Sequence, residues 1–103
     1  MVNSRAKGAA GERELANKLK EHGLTARRTQ QFCGKAGDSD VLCEELSNWH
    51  LEVKRVQNLN VDKAIDQAVR DCGDNTPVVI HRKNGRPWLV TLFLEDWLDL
   101  VKK

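Results

Sequence analysis

The apolar run Pro77-Val78-Val79-Ile80 is the strongest constraint on how this chain folds. A strand without polar alternate positions has to be covered on both faces, as inside a sheet held between two layers. The residues before it supply one layer. Val61, Ala64, Ile65, Ala68, Val69 and Cys72 recur at three- and four-residue steps, which predicts an amphipathic helix over Val61 to Cys72. Asn60 is its expected N-cap, and Gly73 closes it.

The rest of the chain fits around that pair. Leu15, Ala16 and Leu19 give a helical period from Ala9 to His22, with Gly23 as the C-terminal stop. Leu24 to Phe32, rich in Thr and Arg, reads as a strand, and Cys33 to Ser39 as a loop. Val41 to Glu44 and Trp49 to Val56 read as two strands of a hairpin around a turn at Glu45 to Asn48. Asn84-Gly85 predicts a tight turn, after which Trp88 to Phe93 returns as a strand and Leu94 to Val101 as a short helix. The expected order is α-β-β-β-α-β-β-α: an α/β fold with a mixed central sheet flanked by helices. A length of 103 residues suits one domain, residues 1–103.

Composition excludes some functions. No apolar stretch reaches the length of a membrane span and no signal-peptide pattern opens the chain, so the expectation is a soluble, cytoplasmic protein. Three cysteines without close pairing, Cys33, Cys43 and Cys72, fit reduced thiols, two of them buried, rather than a zinc site or a disulfide framework. The net charge of +2 does not by itself announce a polyanion partner. The basic residues are unevenly placed, however. Arg5, Lys7, Arg13, Lys18, Lys20, Arg27, Arg28 and Lys35 face only Glu12, Glu14 and Glu21 in the same segment. Arg5, Lys7, Arg13, Arg27, Arg28 and Lys35 are candidates for contacts to the phosphates of a polyanion; singly, each also reads as a solvated surface charge. Trp49, Trp88 and Trp97 read as core or subunit-contact residues.

The chemistry concentrates in His50-Leu51-Glu52-Val53-Lys54, where an acidic residue precedes a lysine by two within a strand. Strand side chains alternate, so Glu52 and Lys54 share a face with His50, while Leu51 and Val53 point into the opposite layer. Asp40 opens the neighbouring apolar run and can join them. Glu12 lies along the apolar stripe of the first helix and is a further candidate; the alternative is a Glu at the edge of the stripe whose head reaches water or pairs with Arg13 or Arg28. Two carboxylates and a lysine suit a hard divalent cation and a phosphodiester, because Mg²⁺ takes oxygen ligands and keeps several waters. Asp40 and Glu52 would be direct ligands, with the Val53 carbonyl on the same strand and Lys54 orienting a water or neutralising the phosphate. A structural salt-bridge cluster is the competing explanation.

Gly8-Ala9-Ala10-Gly11-Glu12-Arg13-Glu14-Leu15, then Asp40-Val41-Leu42, Leu51-Glu52-Val53-Lys54 and Gln67, resembles the PD-(D/E)xK nuclease superfamily. Within it the pattern is most similar to small archaeal-type and phage Holliday junction resolvases, from about Arg5 to about Trp97. The resemblance implies a restriction-endonuclease-like α-β-β-β-α-β core and a homodimer that nicks branched DNA. It implies Glu12, Asp40, Glu52 and Lys54 as the active-site set, with Gln67 facing it, and Mg²⁺ as cofactor, replaceable by Mn²⁺. Ser39 stands where the family has proline, Asp38 competes with Asp40 as ligand, and the loop from Gln30 to Gly37 lacks the family's Ser/Gly-rich sequence. Other nucleases of the superfamily, acting on flaps, ends or single strands, and a non-catalytic DNA-binding module are the alternatives.

Overall fold

The computed structural model describes residues 4–29 and 40–103. The element order is α1 (Ser4–Glu21), β1 (Ala26–Arg28), β2 (Val41–Cys43), a 3-10 turn (Glu44–Leu46), β3 (Trp49–Arg55), α2 (Val61–Asp71), β4 (Thr76–Arg82), β5 (Leu89–Thr91) and α3 (Leu94–Val101). The expected order is present, as is the mixed α/β sheet flanked by helices. β4 runs between β3, to which it is parallel, and β5, to which it is antiparallel. A parallel pair needs a long crossover, and α2 supplies it.

β4 is the central strand, as its apolar run requires. Val78 and Ile80 pack with Leu15 and Ala16 of α1 and with Leu51 and Val53 of β3, while Val79 packs with Ala64 and Ala68 of α2. The two apolar layers therefore meet at one strand.

The helix ends follow their sequence signals. At the end of α1, Gly23 adopts φ 84°, the Gly23 amide donates to the Lys20 carbonyl at 2.9 Å and the Leu24 amide to the Leu19 carbonyl at 3.1 Å. This Schellman arrangement uses the left-handed conformation that glycine adopts without strain. The Asn60 side chain accepts from the Lys63 amide and caps α2.

Three expectations require correction. The hairpin between β2 and β3 does not form. β2 pairs instead with β1, in antiparallel register from Ala26 opposite Cys43 to Arg28 opposite Val41. Glu45 helps direct this choice, because its carboxylate accepts from both the amide and the hydroxyl of Thr25 just before β1. The intervening segment winds into a 3-10 turn, and β3 forms its ladder with β4 as the edge strand of a separate sheet. The strand expected over Leu24 to Phe32 is seen as Ala26–Arg28, with Gln30 to Ser39 outside the described residues. The Asn84-Gly85 turn is present, with Gly85 at φ 73° and the Arg86 amide on the Lys83 carbonyl, but β5 begins only at Leu89. The connection is therefore longer than a two-residue hairpin.

Of the tryptophans, Trp49 and Trp88 pack partly buried against the core, and Trp97 is exposed. Cys43 and Cys72 are buried free thiols, and Cys33 lies outside the described residues. No helix among the described residues is long and apolar enough to cross a membrane.

Candidate active site

The site is assembled on β3. Leu51 and Val53 turn toward the α1 layer, so His50, Glu52 and Lys54 share the side facing α2. His50 is 1% exposed and Glu52 3% exposed. A carboxylate this deep needs partners, since an unpaired buried charge costs on the order of several kcal/mol. Glu52 has two: His50 Nε2 lies 3.0 Å from its Oε1, and Lys54 Nζ lies 3.5 Å from its Oε2. Lys54 also donates to Gln67 Oε1 at 2.9 Å, so Gln67 fixes the ammonium from α2.

Asp40 stands immediately before β2, which packs beside β3. Its backbone carbonyl accepts from the Thr29 amide at 3.0 Å and from the Thr29 hydroxyl at 3.2 Å, extending the β1–β2 ladder. Burial pushes the Asp40 carboxyl up to about 6, and the negative fields of Glu12 and Glu52 push in the same direction, against Lys54 and His50. Asp40 is thus a crowded acid in the neighbourhood of two others.

Glu12 reaches this neighbourhood because α1 lies very close to β3. A Cβ at Gly11 would sit 2.5 Å from the Cβ of Arg55, so only glycine permits this approach without displacement. One turn of charge locks it there. Glu14 accepts from Arg55 Nε at 3.0 Å and from Arg82 Nη1, two residues that are neighbours in the β3–β4 register. Burial raises the Glu14 carboxyl, but the two guanidiniums outweigh it and hold it below its ordinary value. Glu12 itself accepts from Arg28 Nε at 2.8 Å, one of the two pairings weighed for it.

The structure thus brings Asp40 into the fields of Glu12, Glu52 and Lys54, and ties Lys54 to Gln67. The buried valine Val53 lies between Glu52 and Lys54 in the strand. Of the candidate phosphate-binding cations, Arg13 and Arg27 are exposed and Arg28 is committed to Glu12. Arg5 and Lys7 lie on α1 with side chains outside the described set, and Lys35 and Asp38 fall outside it altogether.

The structure places two further residues beside Glu52: His50, which the sequence put on the same strand face without a ligand role, and Asp71, which sequence reasoning did not single out. Ligand atoms of His50, Glu52 and Asp71 lie within 4.8 Å of one another, the tight donor group found among the described residues. The alternation His-x-Glu-x-Lys was the available signal for His50. Asp71 comes from the far end of α2, and nothing in sequence spacing links it to β3.

No protein-family model and no curated protein matches this chain. Among solved structures the fold is similar to that of Archaeoglobus fulgidus Hjc, a Holliday junction resolvase from an archaeal hyperthermophile. That likeness has a TM-score of 0.57 at 20% identity and covers 84% of this chain and 72% of that one. The shared property is the fold.

Proposed function

We propose that this chain is a metal-dependent DNA endonuclease that resolves four-way junctions by paired nicks. One observation carries the reading: Asp40 stands beside Lys54 where burial first, and then the negative fields of Glu12 and Glu52, push its carboxyl up to about 6. Acids crowded in this way are relieved by a divalent cation, and oxygen donors with one or two carboxylates suit Mg²⁺. Asp40, Glu52 and the Val53 carbonyl would hold the ion, with Glu12 behind a bound water; Mn²⁺ would substitute. The ion supplies a water of lowered pKa and charge stabilisation at phosphorus. Lys54, steadied by Gln67 and Glu52, is placed to orient that water or neutralise the phosphate.

The junction reading draws on the fold shared with a Holliday junction resolvase. A two-fold symmetric substrate cut symmetrically calls for two related sites, hence a homodimer. An apolar surface suited to a second copy is present: Leu89, Val90, Phe93, Leu94 and Trp97 are exposed, and α3 buries no residue. The test is a synthetic four-way junction with Mg²⁺. Symmetric nicks are expected; equal cutting of linear duplex removes the resolvase assignment in favour of a nuclease for flaps, ends or single strands.

The acid pairings favour a second reading, a non-catalytic DNA-binding module, because Glu12 is matched by Arg28 and Glu52 by His50. Glu52→Ala and Lys54→Ala, assayed separately for binding and cutting, decide between them. Calorimetric titration of Mn²⁺ into Asp40→Asn and Asp71→Asn tells which side of Glu52 the cation occupies.

A further inference from the structure

A groove of about 650 Å³ opens beyond Lys54, outside the site described above. Its walls are the segment that follows β3, the first residues of α2, the end of β4 and the β4–β5 connection. Arg82, Lys83 and Arg86 line it together with the amides Gln57, Asn58 and Asn60 and with apolar side chains such as Leu59 and Pro87, and no carboxylate among the described residues does. Arg82 is spoken for by Glu14 and by the Arg86 carbonyl. Lys83 and Arg86 are exposed and have no ion-pair partner among the described residues.

The groove has a fixed shape. The Asn84 amide donates to Gln57 Oε1 at 3.0 Å and Arg55 Nη1 to Asn84 Oδ1 at 3.0 Å, so the basic turn is fastened to the end of β3. It also adjoins the candidate site in the sheet register. His81, which lines the groove, stands opposite Lys54 in the parallel register, and α2, which brings Gln67 to Lys54, begins at the groove wall with Asn60 and Val61. The carboxyl ends of parallel strands are where α/β folds place ligands, and a helix N-terminus adds further preference for an anion.

We infer that this groove carries the sugar–phosphate backbone of DNA flanking the phosphate at Lys54, with Lys83 and Arg86 as its principal charges. Exposed cations and amides set among apolar side chains, with no lining carboxylate among the described residues, suit the phosphates and the sugars of a nucleic-acid backbone. This inference rests on the nuclease reading only for which stretch of DNA lies in the groove.

The test is binding of a labelled four-way junction and a labelled duplex without divalent metal, followed by anisotropy across a salt series. Lys83→Gln with Arg86→Gln is expected to weaken binding on the order of tenfold and to flatten the log–log salt slope by about 2. Lys102→Gln with Lys103→Gln removes the same charge at the C-terminus and is expected to leave both unchanged. Unaltered melting of both variants shows that the fold is retained. Equal effects of the two pairs, no effect of the groove pair, or no binding by the parent overturns the inference. Loss of binding in the groove pair, with a parent that cuts nothing, upholds the groove while the nuclease reading fails.

Discussion

Along β3, alternate residues are buried to a similar depth for opposite ends. Leu51 and Val53, 2% and 9% exposed, face the α1 layer and join the apolar core. His50 and Glu52, 1% and 3% exposed, face the other way and spend their burial on polar contacts. The first face gains free energy from the transfer of apolar surface out of water. The second loses hydration of a charge and recovers part of it through His50 and Lys54. One strand therefore holds a stabilising face and a costly one, and the costly one is where a cation and a phosphate have reason to bind.

The sharpest way to break this contrast is Glu52→Gln. Cutting is expected to fall on the order of 10²–10³-fold, by analogy with loss of a transition-state charge partner. Stability should shift by less than about 1 kcal/mol, because the amide keeps an acceptor for its neighbours and sheds a buried charge. Junction cleavage and urea unfolding on the same preparation read both; a large loss of stability would place Glu52 in the scaffold instead. Leu51→Ala should do the reverse, costing about 2–5 kcal/mol in urea unfolding, with the surviving folded protein still active.

Gly11→Ala tests how α1 is seated on the stabilising face. Its methyl meets the Cβ of Arg55, so a loss of about 1–3 kcal/mol is expected. Gly8→Ala, with nothing within 4 Å, should gain up to about 1 kcal/mol from helix propensity alone. If both substitutions stabilise, the close approach of α1 is wrong.

The smallest effect is in pH. Asp40 has a pKa raised from 3.8 to about 6, so the folded state binds more protons than the unfolded chain between those values. The Asp40 contribution to metal-free stability is therefore highest in acid and declines as pH rises through about 6. Mg²⁺ should restore more stability at pH 7 than at pH 5, where a proton competes for the carboxylate. Thermal melts of the parent against Asp40→Asn isolate this contribution; an identical pH response in the two would remove it.

Much of this contrast was legible beforehand. The period of two put Glu52 and Lys54 on one face, the apolar run fixed β4 as the central strand, and Gly23, Asn60 and Gly73 marked helix ends. These are local signals that need no knowledge of partners. The pairing of β2 was not legible, because a three-residue strand carries too little pattern to choose between two neighbours. The Thr25–Glu45 bonds that favour β1 join residues far apart in the chain. The basic turn at Lys83 and Arg86 was missed for a related reason. A pair of surface charges means little until β4 and β3 are parallel and their ends share an edge.

The β1–β2 ribbon and the β3-β4-β5 sheet have separate hydrogen-bond ladders, and Asp40 belongs to the first while Glu52 belongs to the second. The spacing of these two acids is consequently set by side-chain packing between the sheets, which yields more readily than a ladder does. An ion gripping both would act as a clasp, and part of its binding energy would go into tightening the seam between the two sheets.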